Sequence, residues 1–596
     1  MTTRTAEATP REASNVVHLK AEGERKDSPP QPLRDADRLI HAAIGAATGG
    51  ISPISLMQAW QDWALHLAIS PGKQLEIQLK GWEKLSRLSF HMADCAARGP
   101  EASSCISPLP QDRRFAHPAW QQPPFSALQQ SFLLWQQWWH NATVDVPGVA
   151  DKHEKLVEFY SRQMLDMMSP SNYLATNPEA LDWTVKTSGA SLVAGFQNLL
   201  DDMREAATGG STAGRGAFRP GIEVATTPGD VVYRNDMIEL IRYRPTTEKV
   251  KEEPILIVPA WIMKYYILDL SPANSLIRHL VEQGFEVYCI SWRNPGAEHR
   301  DWRLDDYRGQ GVMAAMEVAA KGSPGGRVHG VGYCLGGTLL SIASAAMARD
   351  GDDRLKSLTL FAALVDFDEP GEIGLFINEA QVAMLDDLMW SDGYLDQRRM
   401  AGAFQMLRSQ DLLWSRMVRD YLMGEREQIS DLMAWNADAT RMPFRMHSEY
   451  LHKLYLRNEL ALGQFRVEDA PVHVEAIKAP LFAVGTTTDH VAPWKSVFKI
   501  THLFDTETDF VLTNGGHNTG IVAPPDHPKR RYRRLHYRYG EVHPDPEDWL
   551  ANTPEEPGSW WSVWTDWLSR QSSGEREANH SSVSLAAAPG TYVLDT

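Results

Sequence analysis

The chain has 596 residues, 43% of them hydrophobic and 23% charged, with a formal net charge of −17. That length exceeds one ordinary domain, and the acidic balance removes any global attraction to nucleic acid or to an anionic membrane surface. Four cysteines (Cys95, Cys105, Cys289 and Cys334) with no C-x-x-C pair are too few for a disulfide scaffold, which points to a reducing compartment, the cytoplasm.

Residues 1–35 are polar and rich in Glu, Lys, Pro and Ser, so a disordered tail is expected there. The segment lacks the apolar core of a signal peptide, and no stretch has the length and purity of a membrane span. From Ala36 the texture is helical. Leu56, Trp60, Trp63, Ala64 and Leu67 recur at helical spacing, as do Leu75, Ile77, Leu79, Trp82 and Leu85. Proline-rich 100–124 interrupts the pattern, and 132–139 and 159–168 resume it until Ser169-Pro170. These segments predict an all-helical N-terminal domain over 36–210, with its aromatic stripe as core.

A glycine-rich joint at 209–216 follows, and the texture changes. The run 255–259 is apolar without alternation, as in a strand buried on both faces. Further strands are expected at 285–292, 327–331, 357–361, 480–484 and 510–512, with helical segments such as 275–283 and 309–320 between them. Strand and helix in alternation mean a parallel sheet with crossovers. From 370 to 450 strands stop, and a helical insertion rich in Met, Trp and Leu reads as a lid over the active-site end. The last amphipathic helix is expected at 559–568. The predicted fold class is therefore α/β, of α/β-hydrolase type: a catalytic domain over 211–568 with a parallel-rich sheet and a helical lid, preceded by the helical region and followed by a C-terminal tail at 569–596.

The chemistry centres on His329-Gly330-Val331-Gly332-Tyr333-Cys334-Leu335-Gly336-Gly337-Thr338. Gly332-x-Cys334-x-Gly336 is the nucleophile-elbow pattern with sulfur in place of the usual hydroxyl. The strained turn accepts only small neighbours, and it sets the thiol at a helix N-terminus, which favours negative charge. An elbow nucleophile needs a base and an acid that orients the base, in the chain order nucleophile, acid, His. Asp489 and His517 each follow a predicted strand, where α/β sheets place their chemistry. Asp366 competes as acid but sits one strand early. His490 competes as base but lacks the glycine-flanked loop of Gly515-Gly516-His517. The oxyanion hole should use the N–H of Leu335 and a second N–H from Ile262 or Trp261, after the first central strand. Sulfur narrows the reaction, because exchange of one thioester for another is near thermoneutral and keeps the acyl group activated. Scattered His and Cys residues lack metal-ligand spacing, so no metal is expected. The basic run Lys529-Arg530-Arg531-Tyr532-Arg533-Arg534 reads as a solvated face or a partner for local acidic groups.

Several further segments carry a resemblance. They are 169–179, Lys264-Tyr265-Tyr266-Ile267-Leu268-Asp269-Leu270, Ser291-Trp292-Arg293-Asn294-Pro295, the box at 332–337, Asp489-His490-Val491-Ala492-Pro493-Trp494, Gly516-His517, and the closing Ala588-Pro589-Gly590-Thr591-Tyr592-Val593. Together they make the chain, from about Asp35 to its end, similar to the class I polyhydroxyalkanoate (poly-3-hydroxybutyrate) synthases. The resemblance implies polymerisation of (R)-3-hydroxyacyl groups from coenzyme A thioesters with release of CoA. It implies Cys334 as carrier of the chain, His517 as base and Asp489 as its orienter. It also implies Arg408, Asn458, His490 and Trp261 near a substrate channel. No cofactor is implied beyond CoA as part of the substrate and product. The implied setting is a homodimer at the polyester granule surface in the cytoplasm, with no nucleic-acid partner. The chain departs from the family at Met263, where Asn is usual, and at Asn518-Thr519, where Ile-Ala is usual; Trp261 lies at a position where the family varies. Two alternatives stand beside this expectation. One is an acyl-thioester hydrolase or polyester depolymerase on the same scaffold, which would admit water to the acyl-enzyme. The other is a non-catalytic granule-associated homologue.

Overall fold

The computed structural model describes residues 31–109, 112–208, 217–396, 399, 409, 413–538, 540–580 and 584–595. The N-terminal region consists of α1 (Gln31–Ala47), α2 (Pro53–Ala68), α3 (Pro71–Arg98), α4 (Phe125–Thr143), α5 (Asp151–Met167), α6 (Pro178–Lys186) and α7 (Ala190–Thr208). Proline opens α2, α3 and α6, where its missing N–H costs nothing. Ser52 and Asn177 cap α2 and α6 by accepting backbone N–H bonds. Two small apolar clusters hold these helices, one around Phe115, Trp120, Phe132 and Leu133, the other around Ala59, Leu156 and Val157. Of the tail expected at 1–35, residues 1–30 lie outside the described residues, as does the joint at 209–216. The last five residues of that tail are helical instead, because α1 begins at Gln31 and packs on the lid.

The catalytic region is built on β1 (Gly229–Arg234), β2 (Ile238–Tyr243), β3 (Lys249–Lys251), β4 (Ile255–Val258), β5 (Val287–Trp292), β6 (Val328–Tyr333), β7 (Leu355–Phe361), β8 (Leu481–Thr486), β9 (Thr508–Thr513), β10 (Arg531–Tyr537), β11 (Glu556–Pro557), β12 (Glu575–Glu577) and β13 (Ala586–Ala587). Eleven of these form one sheet, in the order β11-β10-β9-β8-β7-β6-β4-β5-β2-β1-β13. The run from β5 to β9 through β4, β6, β7 and β8 is parallel, and the strands outside it are antiparallel. Each parallel strand overlaps an expected one, β6 from its place before the elbow and the others from their apolar runs. The flanking antiparallel strands were not expected: a half-exposed strand such as β10, between β9 and the edge strand β11, mixes charged and apolar residues, and its pairing depends on the neighbouring strands.

The lid leaves the sheet after β7 and returns before β8. Its described parts are helical, notably Glu379–Asp392 and Phe444–Tyr450. A two-residue pairing of Tyr394–Leu395 with Met442–Pro443 ties its neck. The last helix, Trp560–Gln571, buries Trp560, Trp561 and Trp564 against the sheet, with Phe361 4.9 Å from the rings of both Trp560 and Trp564. Such rings bury large apolar areas and need partners for their N–H groups. Trp560 and Trp561 donate to the carbonyls of Gly520 and Ile521, just past His517.

The segment expected as a C-terminal tail, 569–596, is integrated into the fold. β12 pairs with β3, and β13 pairs with β1 at the sheet edge. Glu239, fully buried on β2, accepts the N–H of Thr591 at 2.8 Å, its hydroxyl at 2.8 Å and the N–H of Tyr592 at 2.9 Å. A polar-looking segment is ordered because it completes a sheet edge and satisfies a buried carboxylate.

Candidate active site

Cys334 lies between β6 and the helix Leu335–Asp350, with φ +52° and ψ −125°. Few non-glycine residues adopt that backbone, and such strain persists only where the surroundings enforce it. Here the Cys334 N–H bonds the Phe361 carbonyl at 2.9 Å, while its own carbonyl accepts from Gly337 at 2.9 Å. The glycines are required by close approach. A Cβ on Gly332 would lie 2.3 Å from the Gly337 Cα, and one on Gly336 would lie 2.1 Å from the Val258 carbonyl oxygen. The elbow can form only where those side chains are absent.

Asp489 follows β8, and His517 follows β9. His517 Nδ1 lies 2.8 Å from Asp489 Oδ2. The carboxylate also accepts from Val491 N–H and Ala492 N–H at 2.8 Å each and from the Thr486 hydroxyl at 3.1 Å, and its side chain is fully shielded from solvent. Burial works against ionisation of Asp489, yet the charge and hydrogen bond of His517, with those two N–H groups, hold the carboxyl below its usual range. Burial likewise works against a cationic His517. The charge of Asp489, the neighbouring Cys334 sulfur and the hydrogen bond to Asp489 outweigh it, and the imidazole is raised well above its ordinary value. Asp489 thereby engages Nδ1 and leaves Nε2 as the ring's other nitrogen. The Tyr333 ring stacks on the imidazole at 5.6 Å, and the Tyr333 hydroxyl donates to Asn518 Oδ1 at 2.5 Å.

Cys334, Leu335 and Ile262 line one cavity of about 300 Å³. Leu335 is the first residue of its helix, so its N–H has no carbonyl one turn back to bond. Lid residue Thr440 fixes the facing loop, its N–H bonding the Ile262 carbonyl at 3.1 Å and its hydroxyl the Trp261 carbonyl at 2.5 Å. The walls are mainly apolar, with Leu364, Phe367, Phe376, Leu385 and Leu451 among them. Such a lining offers water few polar partners beside the thiol.

Residues 31–73 and 111–280 match families described as "Poly-beta-hydroxybutyrate polymerase N terminal" and "Poly-beta-hydroxybutyrate polymerase (PhaC) N-terminus", and residues 253–524 match "alpha/beta hydrolase fold". A "Poly(3-hydroxyalkanoate) polymerase" of Methylorubrum extorquens is 41% identical over 88% of this chain and 87% of its own length. The chain belongs to the poly(3-hydroxyalkanoate) polymerase family. The PhaC-named polymerase subunit of Cupriavidus necator is 36% identical over 89% of this chain and 90% of its own, and a polymerase of Ectopseudomonas oleovorans is 32% identical over 82% and 88%. As a polymerase-family member the chain is an enzyme of the acyltransferase type on an α/β-hydrolase scaffold.

The residues that the family resemblance placed near a channel are dispersed. Arg408 lies outside the described residues. Trp261 is not on the cavity wall: its ring is buried between Trp292 and Tyr307, at 6.2 and 5.2 Å, because β4 ends by turning that side chain into the aromatic core. His490 is also off the wall, 41% exposed, with Glu372 at 3.8 Å. Asn458 acts at one remove, its Oδ1 accepting the N–H of Phe367 at 2.9 Å and its Nδ2 donating to Asp366 at 3.1 Å. Phe367, rather than Asn458, reaches the cavity. That bonding also occupies Asp366, the rival acid. Met263 forms an isolated bridge with lid residue Ala439. In this polymerase-family member the sequence reading missed His447, Tyr450 and Tyr455, which line the cavity, the two tyrosine hydroxyls 3.3 Å apart. Their signal was the aromatic spacing of 444–455, which is indistinguishable from core packing until the lid is folded over the elbow.

Proposed function

We propose that this chain polymerises (R)-3-hydroxyacyl groups from their CoA thioesters, releasing CoA, with the growing chain held on Cys334. The observation that carries the reading is a thiol on a strained elbow, coupled to the His517–Asp489 pair and facing an apolar cavity. The names of the relatives support the substrate class.

In the proposed cycle His517 takes the thiol proton and the sulfur attacks the thioester carbonyl. The N–H groups of Leu335 and Ile262 stabilise the oxyanion. CoA leaves as a thiolate and receives the proton from His517, which leaves acyl-Cys334. The 3-hydroxyl of a second hydroxyacyl-CoA then attacks acyl-Cys334. His517 takes the hydroxyl proton and returns it to the departing Cys334 sulfur, and the chain passes to the second unit as a longer CoA thioester. That thioester reacylates Cys334 and releases CoA. No metal or further cofactor enters the cycle.

We place the enzyme at a polyester surface in the cytoplasm as a homodimer. Exposed Leu39, Ile40, Leu65, Trp82 and Phe90 on α1–α3 suit an apolar surface, and no helix of the described residues is long and apolar enough to cross a membrane.

Incubation with (R)-3-hydroxybutyryl-CoA tests the proposal. The expected products are free CoA and polymer of high mass. Monomeric free acid with CoA release and no polymer would overturn it in favour of a thioester hydrolase.

A further inference from the structure

The cavity wall is not supplied by the catalytic region alone. Thr48, Gly49, Gly50 and Ile51, in the turn between α1 and α2, line the same cavity as Cys334. Gly49 and Gly50 have φ of +65° and +90°, a conformation that reverses the chain there and that side chains resist. The turn is held by one lid side chain. The buried Gln381 donates from Nε2 to the Gly50 carbonyl at 2.5 Å and accepts the Ser52 N–H on Oε1 at 2.7 Å. One residue type satisfies both backbone groups because a primary amide offers a donor and an acceptor side by side.

Further contacts continue along the same lid helix, Glu379–Asp392. Its N-cap Asn378 donates to the Ser55 hydroxyl at 2.5 Å, and Asp387 pairs with His41 at 2.8 Å and Arg38 at 3.5 Å. Gly45 of α1 sits where a Cβ would touch Met384 Cγ at 3.5 Å. Phe376, another wall residue, packs edge-on against Phe159 of α5 at 5.5 Å. The N-terminal helices therefore grip the lid on the side that faces the thiol.

We infer that the 48–51 turn is a wall of the acyl-binding cavity, and that Gln381 latches the lid helix onto it. The N-terminal region thereby helps to select the length of the acyl side chain. This inference rests on the acyl-transfer reading above. Ile51 is its specificity-determining residue and Gln381 its positioning residue.

The test uses the full chain with Ile51→Ala, Ile51→Phe and Gln381→Leu. CoA release gives kcat/KM for (R)-3-hydroxybutyryl-CoA and (R)-3-hydroxyhexanoyl-CoA, and hydrogen exchange reports the opening of the Glu379–Asp392 helix. In a packed apolar pocket one or two methylenes change selection by about tenfold or more. Ile51→Ala should raise the hexanoyl-to-butyryl ratio by about tenfold, and Ile51→Phe should lower it by a similar factor. Gln381→Leu keeps the bulk and loses both amide bonds, so exchange in the lid helix should quicken by about tenfold or more. A ratio within about twofold of the unsubstituted chain in both Ile51 variants overturns the wall assignment. Unchanged exchange in Gln381→Leu overturns the latch. If the unsubstituted chain releases no CoA from either thioester, the reaction reading has failed instead, and the latch is still decided by exchange.

Discussion

His517 Nδ1 and Asp489 Oδ2 stand 2.8 Å apart on two loops separated by 28 residues, each loop leaving the carboxyl end of its own parallel strand. The register of β8 with β9 brings them together, pairing Thr486 with Thr513 just before the two loops begin. Asp489 has every lone-pair direction engaged, so in the proposed cycle it would orient the imidazole rather than accept a proton from it.

Replacing Asp489 with Asn should therefore leave the fold intact and cripple the enzyme. The amide can bind the wrong tautomer and withdraws the charge that raises His517. We expect kcat for CoA release to fall by about 10²–10⁴-fold. The His517 pKa should also drop towards its ordinary value, which an NMR titration of the imidazole would read directly. A variant that retains at least half the activity would remove Asp489 from the mechanism.

Asn518 should matter through Tyr333. Burial, then the charges of Cys334 and Asp489, keep the Tyr333 phenol protonated, so its hydroxyl must donate, and Asn518 Oδ1 receives it. Asn518→Ile removes that acceptor and leaves the hydroxyl only the distant His517 carbonyl, at 3.5 Å. The expected cost is about 1–3 kcal/mol in stability, measured by chemical denaturation. The His517 limb of the pH–rate profile should shift as well, because the phenol ring stacks on the imidazole. An unchanged profile would confine Asn518 to structure.

Gly336 has no room for a methyl group. A Cβ there would lie 2.1 Å from the Val258 carbonyl oxygen and 2.6 Å from that of Pro259. Both neighbours are backbone of β4 and its loop, and neither can rotate away. Gly336→Ala should cost at least about 3 kcal/mol or abolish folding. A stable, active alanine variant would mean that the elbow is looser than its geometry.

Two buried histidines predict acid lability. Burial lowers His329 to about 4 and His447 to about 3. His329 stays neutral between the hydroxyls of Ser357 at 2.7 Å and Ser572 at 3.1 Å. A folded-state value below the unfolded 6.5 means that the unfolded chain binds more protons in the interval. Stability is then fully present above pH 6.5 and is lost as pH falls towards 4. His329 alone corresponds to about 3 kcal/mol at complete protonation. In denaturation curves from pH 7 to 4, His447→Leu should show a flatter decline than the parent. His517 has the opposite sign, since its value is raised. Its contribution is full below 6.5 and fades as pH rises through the folded-state value.

The C-terminal segment should prove indispensable. Ending the chain at Gln571 removes β12, β13 and the three donors that satisfy buried Glu239, leaving it with Arg234. A buried acceptor that loses its hydrogen-bond donors costs about 1–3 kcal/mol even where one ionic partner remains. Soluble yield and the denaturation midpoint should both fall, and Glu239→Gln in the truncated chain should recover part of the loss.

The parallel core was legible in the sequence because a strand buried on both faces reads as a near-continuous apolar run, as 255–258, 287–290 and 481–484 do. The elbow was legible too, because the close approach of β6, its helix and β4 admits only glycine at 332 and 336. The chain order Cys334, Asp489, His517 fixed which strand ends the three residues would occupy. The lid could be placed but not oriented. Whether Phe376, Tyr450 and Leu385 face the thiol or a neighbouring helix depends on how a helical segment docks, and helical periodicity carries no information on that. For the same reason Trp261, adjacent to Ile262 in sequence, points into the aromatic core while Ile262 meets the cavity. The polar C-terminal segment looked loose because its order comes from a sheet edge and a buried carboxylate more than 300 residues away. The short turn at 48–51 gave no sign of standing beside Cys334; only packing of α1 and α2 against the lid brings it there. Local composition decides what a segment can become, and contacts between distant segments decide what it faces.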